Sequence, residues 1–145
     1  MKKTRPLLLY YRDTLPDGRT VTFQCEISDH TNLRPEDAKA ITLFKWDILR
    51  YFPEYNTCLM DLIPEYRVFG RTCGLCEFNV RYQHDDCTHC ALTKLNQECD
   101  MITSLYRRFC RNDGALHSIA NKLYDLIASI DMNNYYIADR KKKKK

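Results

Sequence analysis

Glycine is scarce, with four in 145 residues, so a phosphate-cradling loop has little raw material. No Walker loop, dinucleotide glycine pattern, Gly-x-Ser-x-Gly or His-Glu-x-x-His occurs. No apolar run approaches the roughly 18 residues that a membrane-spanning helix needs. Positive charge is scarcer than it looks. The chain has 23 Lys+Arg against 19 Asp+Glu, a net of +4, but residues 141–145 are five consecutive lysines. Without them, 18 basic side chains face 19 acidic ones, a net of −1. The excess therefore sits in a terminal tail, and a broad basic surface cannot be read from the charge balance. Eight cysteines in 145 residues also fall below the roughly 8–10% of a disulfide scaffold.

A basic start over residues 1–5, followed by apolar residues 7–11, imitates a secretion signal. Arg12 and Asp13 end that apolar run after five residues, short of the roughly 7–15 such a segment needs. The run reads as a strand, which leads to the expectation of a cytoplasmic protein with reduced cysteines.

What is present suits a packed core: 44% hydrophobic and 12% aromatic residues. The expected organisation is a single small domain over 1–138 and a disordered polybasic tail over 139–145. Within 6–27, two β-prone runs flank Leu15-Pro16-Asp17-Gly18, where Pro sets φ and Gly permits a positive one. Alternation from Thr20 to Ile27 puts Val21, Phe23, Cys25 and Ile27 on one face of a hairpin. Pro35, then Glu36 and Asp37, start a helix over 35–52, with Ala38, Ile41, Phe44, Trp46, Ile48, Leu49 and Phe52 as its stripe. Pro53 ends it. Residues 53–72 read as irregular, with a short apolar turn around Cys58-Leu59-Met60 and Leu62-Ile63. A helical stretch is expected over 101–110 within a zinc module spanning 70–110. A closing helix over 115–131 buries Leu116, Ile119, Ala120, Leu123, Ile127 and Ile130, with Asn112 or Asp113 as its cap.

The chemistry concentrates in the cysteines. Cys73-Gly74-Leu75-Cys76 is followed, after ten residues, by Cys87-Thr88-His89-Cys90. Thiolates at i and i+3 aim inward from one turn, and two such turns supply the four ligands of a tetrahedral Zn²⁺. An iron–sulfur centre, a redox dithiol or plain buried cysteines are the alternatives. Neither pair fits a thioredoxin-like βαβ context. Four thiolates close the metal's shell, so one structural Zn²⁺ is expected rather than a catalytic one. Cys99 and His89 could join the site; a core thiol and an outer imidazole are the plainer roles. Asp85 and Asp86 read as a polar turn. Cys25, Cys58 and Cys110 stand alone and read as core residues.

Cys73-Gly74-Leu75-Cys76, Cys87-Thr88-His89-Cys90, Leu92, Cys99, Tyr106, Phe109 and the closing helix follow an order that resembles small cysteine-rich proteins of tailed bacteriophages, of zinc-ribbon or treble-clef type. The likeness covers about residues 70–130. It differs at Ala91, where such proteins usually carry Pro, and at Phe109, where Trp is common. It implies a phage-like accessory product working in the host cytoplasm.

The expected fold is α+β: an N-terminal β-hairpin, three main helices and a central zinc module with four cysteine ligands. Three functional readings follow. In the first, the chain binds nucleic acid with help from Arg140, Lys141, Lys142, Lys143, Lys144 and Lys145, which can release counterions from phosphates. Arg71, Arg81, Lys94, Arg107, Arg108 and Arg111 could add contacts, and Phe78 and Tyr82 could stack on bases. The second reading is an adaptor or inhibitor of a host or phage protein. It draws on the ten tyrosines, notably Tyr10, Tyr11, Tyr51, Tyr55, Tyr66, Tyr135 and Tyr136. The third is a metal-dependent nuclease using His84, His89 or His117, for which no catalytic pair assembles from the sequence.

Overall fold

A computed structural model describes residues 4–69, 105–111 and 114–130. They form an α+β arrangement that begins with a two-stranded antiparallel hairpin. Strand β1 spans Leu7–Thr14 and β2 spans Thr20–Ile27, with Leu9 opposite Cys25 and Tyr11 opposite Phe23. The connection closes as its chemistry demands. Gly18 takes φ +92°, the Gly18 N–H donates to the Leu15 carbonyl at 2.8 Å, and the Asp17 carboxylate accepts from the Arg19 N–H at 3.0 Å. The expected alternation is realised: Phe23, Cys25 and Ile27 are buried and Val21 is half-buried. On the opposite face, Leu8 and Tyr10 stay exposed.

A lone hairpin is marginal in water and needs an apolar partner. Helix α1 (Pro35–Tyr51) provides it. Its start is fixed by Asp37, whose carboxylate accepts from the Arg34 backbone N–H at 2.9 Å and the Arg34 guanidinium at 3.2 Å. Residues on nearly every side of α1 are buried, including Ile41, Phe44, Trp46, Ile48 and Leu49, which marks it as the central helix. The Phe52 N–H still donates to Ile48, and Pro53 then prevents continuation.

Residues 53–68 hold the expected short apolar turn but are regular on either side of it. They are two 3₁₀ turns, Pro53–Thr57 and Pro64–Val68, on either side of the single-turn helix α2 (Leu59–Leu62). Each 3₁₀ turn has Pro in its first position, where the missing N–H costs nothing. Such turns are too short to show a hydrophobic period. They bury Leu59, Ile63, Tyr66 and Phe69 in the same core as the hairpin.

Helix α3 (Leu105–Cys110) brings Phe109 edge-on to Trp46, ring centroids 5.1 Å apart at 82°. Helix α4 (Leu116–Ala128) buries Ile119, Ala120, Leu123 and Ile127 of the expected stripe, with Ile130 buried just beyond it, while Leu116 in the first turn is only half-buried. Its N-cap is Ala115, with no side-chain capping bond, in place of the expected Asn112 or Asp113, which lie outside the described residues. Gly114 just before it takes φ +119°, a turn that only glycine enters easily. Two ties set α4 antiparallel to α1. The Lys39 ammonium donates to the Ala128 and Ile130 carbonyls at 2.8 and 2.7 Å, and His117 meets the Arg50 carbonyl at 2.8 Å. Among the described residues no helix is long and apolar enough to cross a membrane.

Candidate functional site

The expected zinc ligands Cys73, Cys76, Cys87 and Cys90 lie outside the described residues, as does the tail over 140–145. So do Cys99, His84, His89 and the candidate base-stacking residues Phe78 and Tyr82. Tyr135 and Tyr136 are outside as well. Among the described residues, no group of three or more His, Cys, Asp or Glu is placed to hold a metal.

The remaining cysteines divide. Cys25 is buried, and burial pushes its thiol up to about 11, which makes it an inert core residue as expected. Cys58 is only half-buried, and Cys110 is exposed. The core reading therefore fails for Cys110, whose sulfur accepts from the Asn56 amide at 3.7 Å. It lies at the end of α3, a single short helix whose outward positions no sequence period could assign. Tyr66 is likewise corrected from surface to core: it is 0% exposed, its ring 6.0 Å from that of Phe44. Tyr10 and Tyr51 are exposed as the interface reading requires.

Two polar features lie at the tip of the hairpin. The first joins β1 to the 3₁₀ turn after α1. Both phenols, Tyr11 and Tyr55, donate to one oxygen of Asp13, at 2.7 and 2.8 Å. Those bonds, from Tyr11 first and then Tyr55, hold the Asp13 carboxyl below its ordinary range. Burial, followed by the bond to Asp13, pushes the Tyr11 phenol up. For Tyr55 the bond to Asp13 is the leading cause of the same upward shift.

The second feature is an open cleft of about 670 Å³. Its sides come from three distant stretches: the hairpin turn with Leu15, Asp17 and Arg19, the end of α1 with Arg50, Tyr51 and Phe52, and His117 at the start of α4. Glu54 and Tyr55 of the first 3₁₀ turn complete it. Arg19 pairs with Asp17 at 2.6 Å. Arg50 pairs with Asp47 at 2.6 Å and lies over the Tyr124 ring, 4.0 Å from its centroid. A carbonyl only accepts, so His117 donates from Nδ1 to Arg50. The sequence singled out His117 only as a nuclease candidate and passed over Arg50 and Glu54. No local spacing links positions 17, 50 and 117, so tertiary packing alone reveals this cleft.

No protein-family model, curated protein or solved structure matches the chain.

Proposed function

We propose that this chain is a small zinc-binding accessory protein of the tailed-phage kind. In this reading Cys73, Cys76, Cys87 and Cys90 hold one structural Zn²⁺, and the tail over 140–145 engages nucleic acid. The observation that carries it is the pair of Cys-x-x-Cys turns within residues 73–90. As a donor set, four thiolates suit Zn²⁺ and leave no position for a reacting water, which favours cross-linking over catalysis. The metal would tie two turns of a treble-clef or zinc-ribbon module between the hairpin–α1 unit and the closing helix. Placement of the whole net positive charge in the last five residues supports the tail as the phosphate-binding element, since the remainder carries −1.

Elemental analysis of purified protein is expected to find about one zinc per chain. Loss of that zinc in a Cys73→Ser or Cys90→Ser variant would locate it. Fluorescence anisotropy with labelled DNA and RNA oligonucleotides is expected to give salt-sensitive binding that weakens when residues 141–145 are deleted. Metal-free protein that keeps its fold would sink the first half of the reading. Affinity indifferent to salt and to the tail would sink the second.

An adaptor role is the second reading. It is favoured by exposed Leu8, Tyr10, Tyr51, Leu62 and Val68, apolar groups of the kind that interfaces cover. Failure of immobilised protein to retain any host component above background would count against it.

A further inference from the structure

We propose that the cleft at the hairpin tip receives a basic side chain, arginine above all, from a partner polypeptide. Its volume, about 670 Å³, is ample for one long side chain and its flanking backbone. One wall is aromatic. Tyr51 is 40% exposed, with the Arg50 guanidinium 5.8 Å from its ring centroid on one side, and Phe52 stacks on Tyr55 with centroids 5.1 Å apart at 19°. Ring faces of this kind attract a cationic head and cover its methylene stem.

The charges decide the sign of the occupant. Arg19 is neutralised by Asp17, and Arg50 by Asp47. Asp13, behind Tyr55, stays anionic under its two phenols. Glu54 lines the cleft and has no hydrogen-bond or ion-pair partner among the described residues. The residual charge is therefore negative. A guanidinium brings several donors for the Glu54 carboxylate, and its plane matches the aromatic wall. A phosphate would set its own charge against Glu54 while both arginines are already engaged. The cleft is thus a protein-binding feature, separate from the tail, and each can fail without the other.

The full chain, isotope-labelled, would be titrated with a Gly-Ser-Arg-Ser-Gly peptide and followed by NMR. Saturable shifts are expected at Tyr51, Glu54, Tyr55 and His117. The same peptide carrying uncharged citrulline should need at least about tenfold more ligand. Glu54→Gln should weaken arginine binding about tenfold, and Glu54→Lys should abolish it. Glu54 is exposed and makes no bond to another described residue, so both variants should keep the wild-type spectrum elsewhere. Tyr51→Ala, which removes an exposed ring, should weaken arginine and lysine peptides together. Equal affinity for arginine and citrulline, or indifference to Glu54→Gln, overturns the proposal. So does a cleft that responds to an oligonucleotide but not to the peptide.

Discussion

Asp13 is where the first strand and the turn after α1 meet, because one of its oxygens accepts from both Tyr11 and Tyr55. Hydrogen bonds to a charged acceptor are the stronger kind, although partial exposure reduces their worth here. Asp13→Asn is expected to cost about 1 kcal/mol, read from the urea midpoint at neutral pH. The pH dependence has a definite sign. The Asp13 carboxyl is lowered in the folded state, so its contribution is present above the unfolded value of 3.8 and fades as pH falls through the folded one. Tyr11 and Tyr55 are raised, so their contribution is full below 10.0 and is lost as pH climbs through the folded values. Wild-type stability should therefore fall at both extremes, and Asp13→Asn should flatten both edges. A variant as acid-sensitive as the wild type would show that other carboxylates carry the acid limb. None of this was legible in the sequence: Asp13 reads there only as the residue that stops an apolar run, and its partner Tyr55 lies 42 positions away.

At the scale of elements, sequence patterns found the bodies and missed the joints. Period two located β2, a β-prone run before the Pro-Asp-Gly turn marked β1, and apolar stripes located α1 and α4, because these signals extend over several residues. Neither signal exists in a five-residue 3₁₀ turn, so Pro53–Thr57 and Pro64–Val68 read as irregular. The cap of α4 was missed for a related reason: the chain enters through Gly114 and Ala115, without the polar side chain that usually marks a start. At the other end of α4, Lys39 supplies the closing cation from a different helix. Orphan carbonyls at a helix end favour positive charge. Replacing Lys39 by Met keeps the stem and removes the donor, and should lower stability by about 0.5–1 kcal/mol in thermal or urea unfolding. Hydrogen exchange should quicken first in the last turn of α4. An unchanged exchange pattern would mean that water closes those carbonyls equally well.

Across the whole molecule, the hairpin, α1, the proline-initiated turns and α4 share one apolar core. Phe109 of α3 reaches that core through Trp46, the chain's single tryptophan. The proposed zinc module would lead directly into that contact. Zinc removal, by chelation or by Cys73→Ser, is therefore expected to melt residues 70–110 while β1, β2 and α1 persist. Trp46 fluorescence should shift to the red as Phe109 withdraws, and most of the far-UV dichroism should remain. A complete loss of dichroism would mean that the metal holds the entire fold. An unshifted Trp46 would mean that α3 docks without it.

Properties carried by neighbours in the chain were settled by the sequence alone. These are the strand alternation, the Pro-Asp-Gly turn, the stripes of α1 and α4, the doubled Cys-x-x-Cys spacing, and the confinement of the net positive charge to the tail. Each depends on residues within a few positions, where backbone geometry dictates what shares a face. Tertiary structure decided whatever depends on distant partners: Tyr66 inside and Cys110 outside, two phenols on Asp13, and Lys39 closing a helix 89 residues away. It also left Glu54 without an ion-pair partner among the described residues, in a cleft drawn from three separate stretches. Pairing and burial are set by which surfaces the core brings together, and one-dimensional spacing does not encode that.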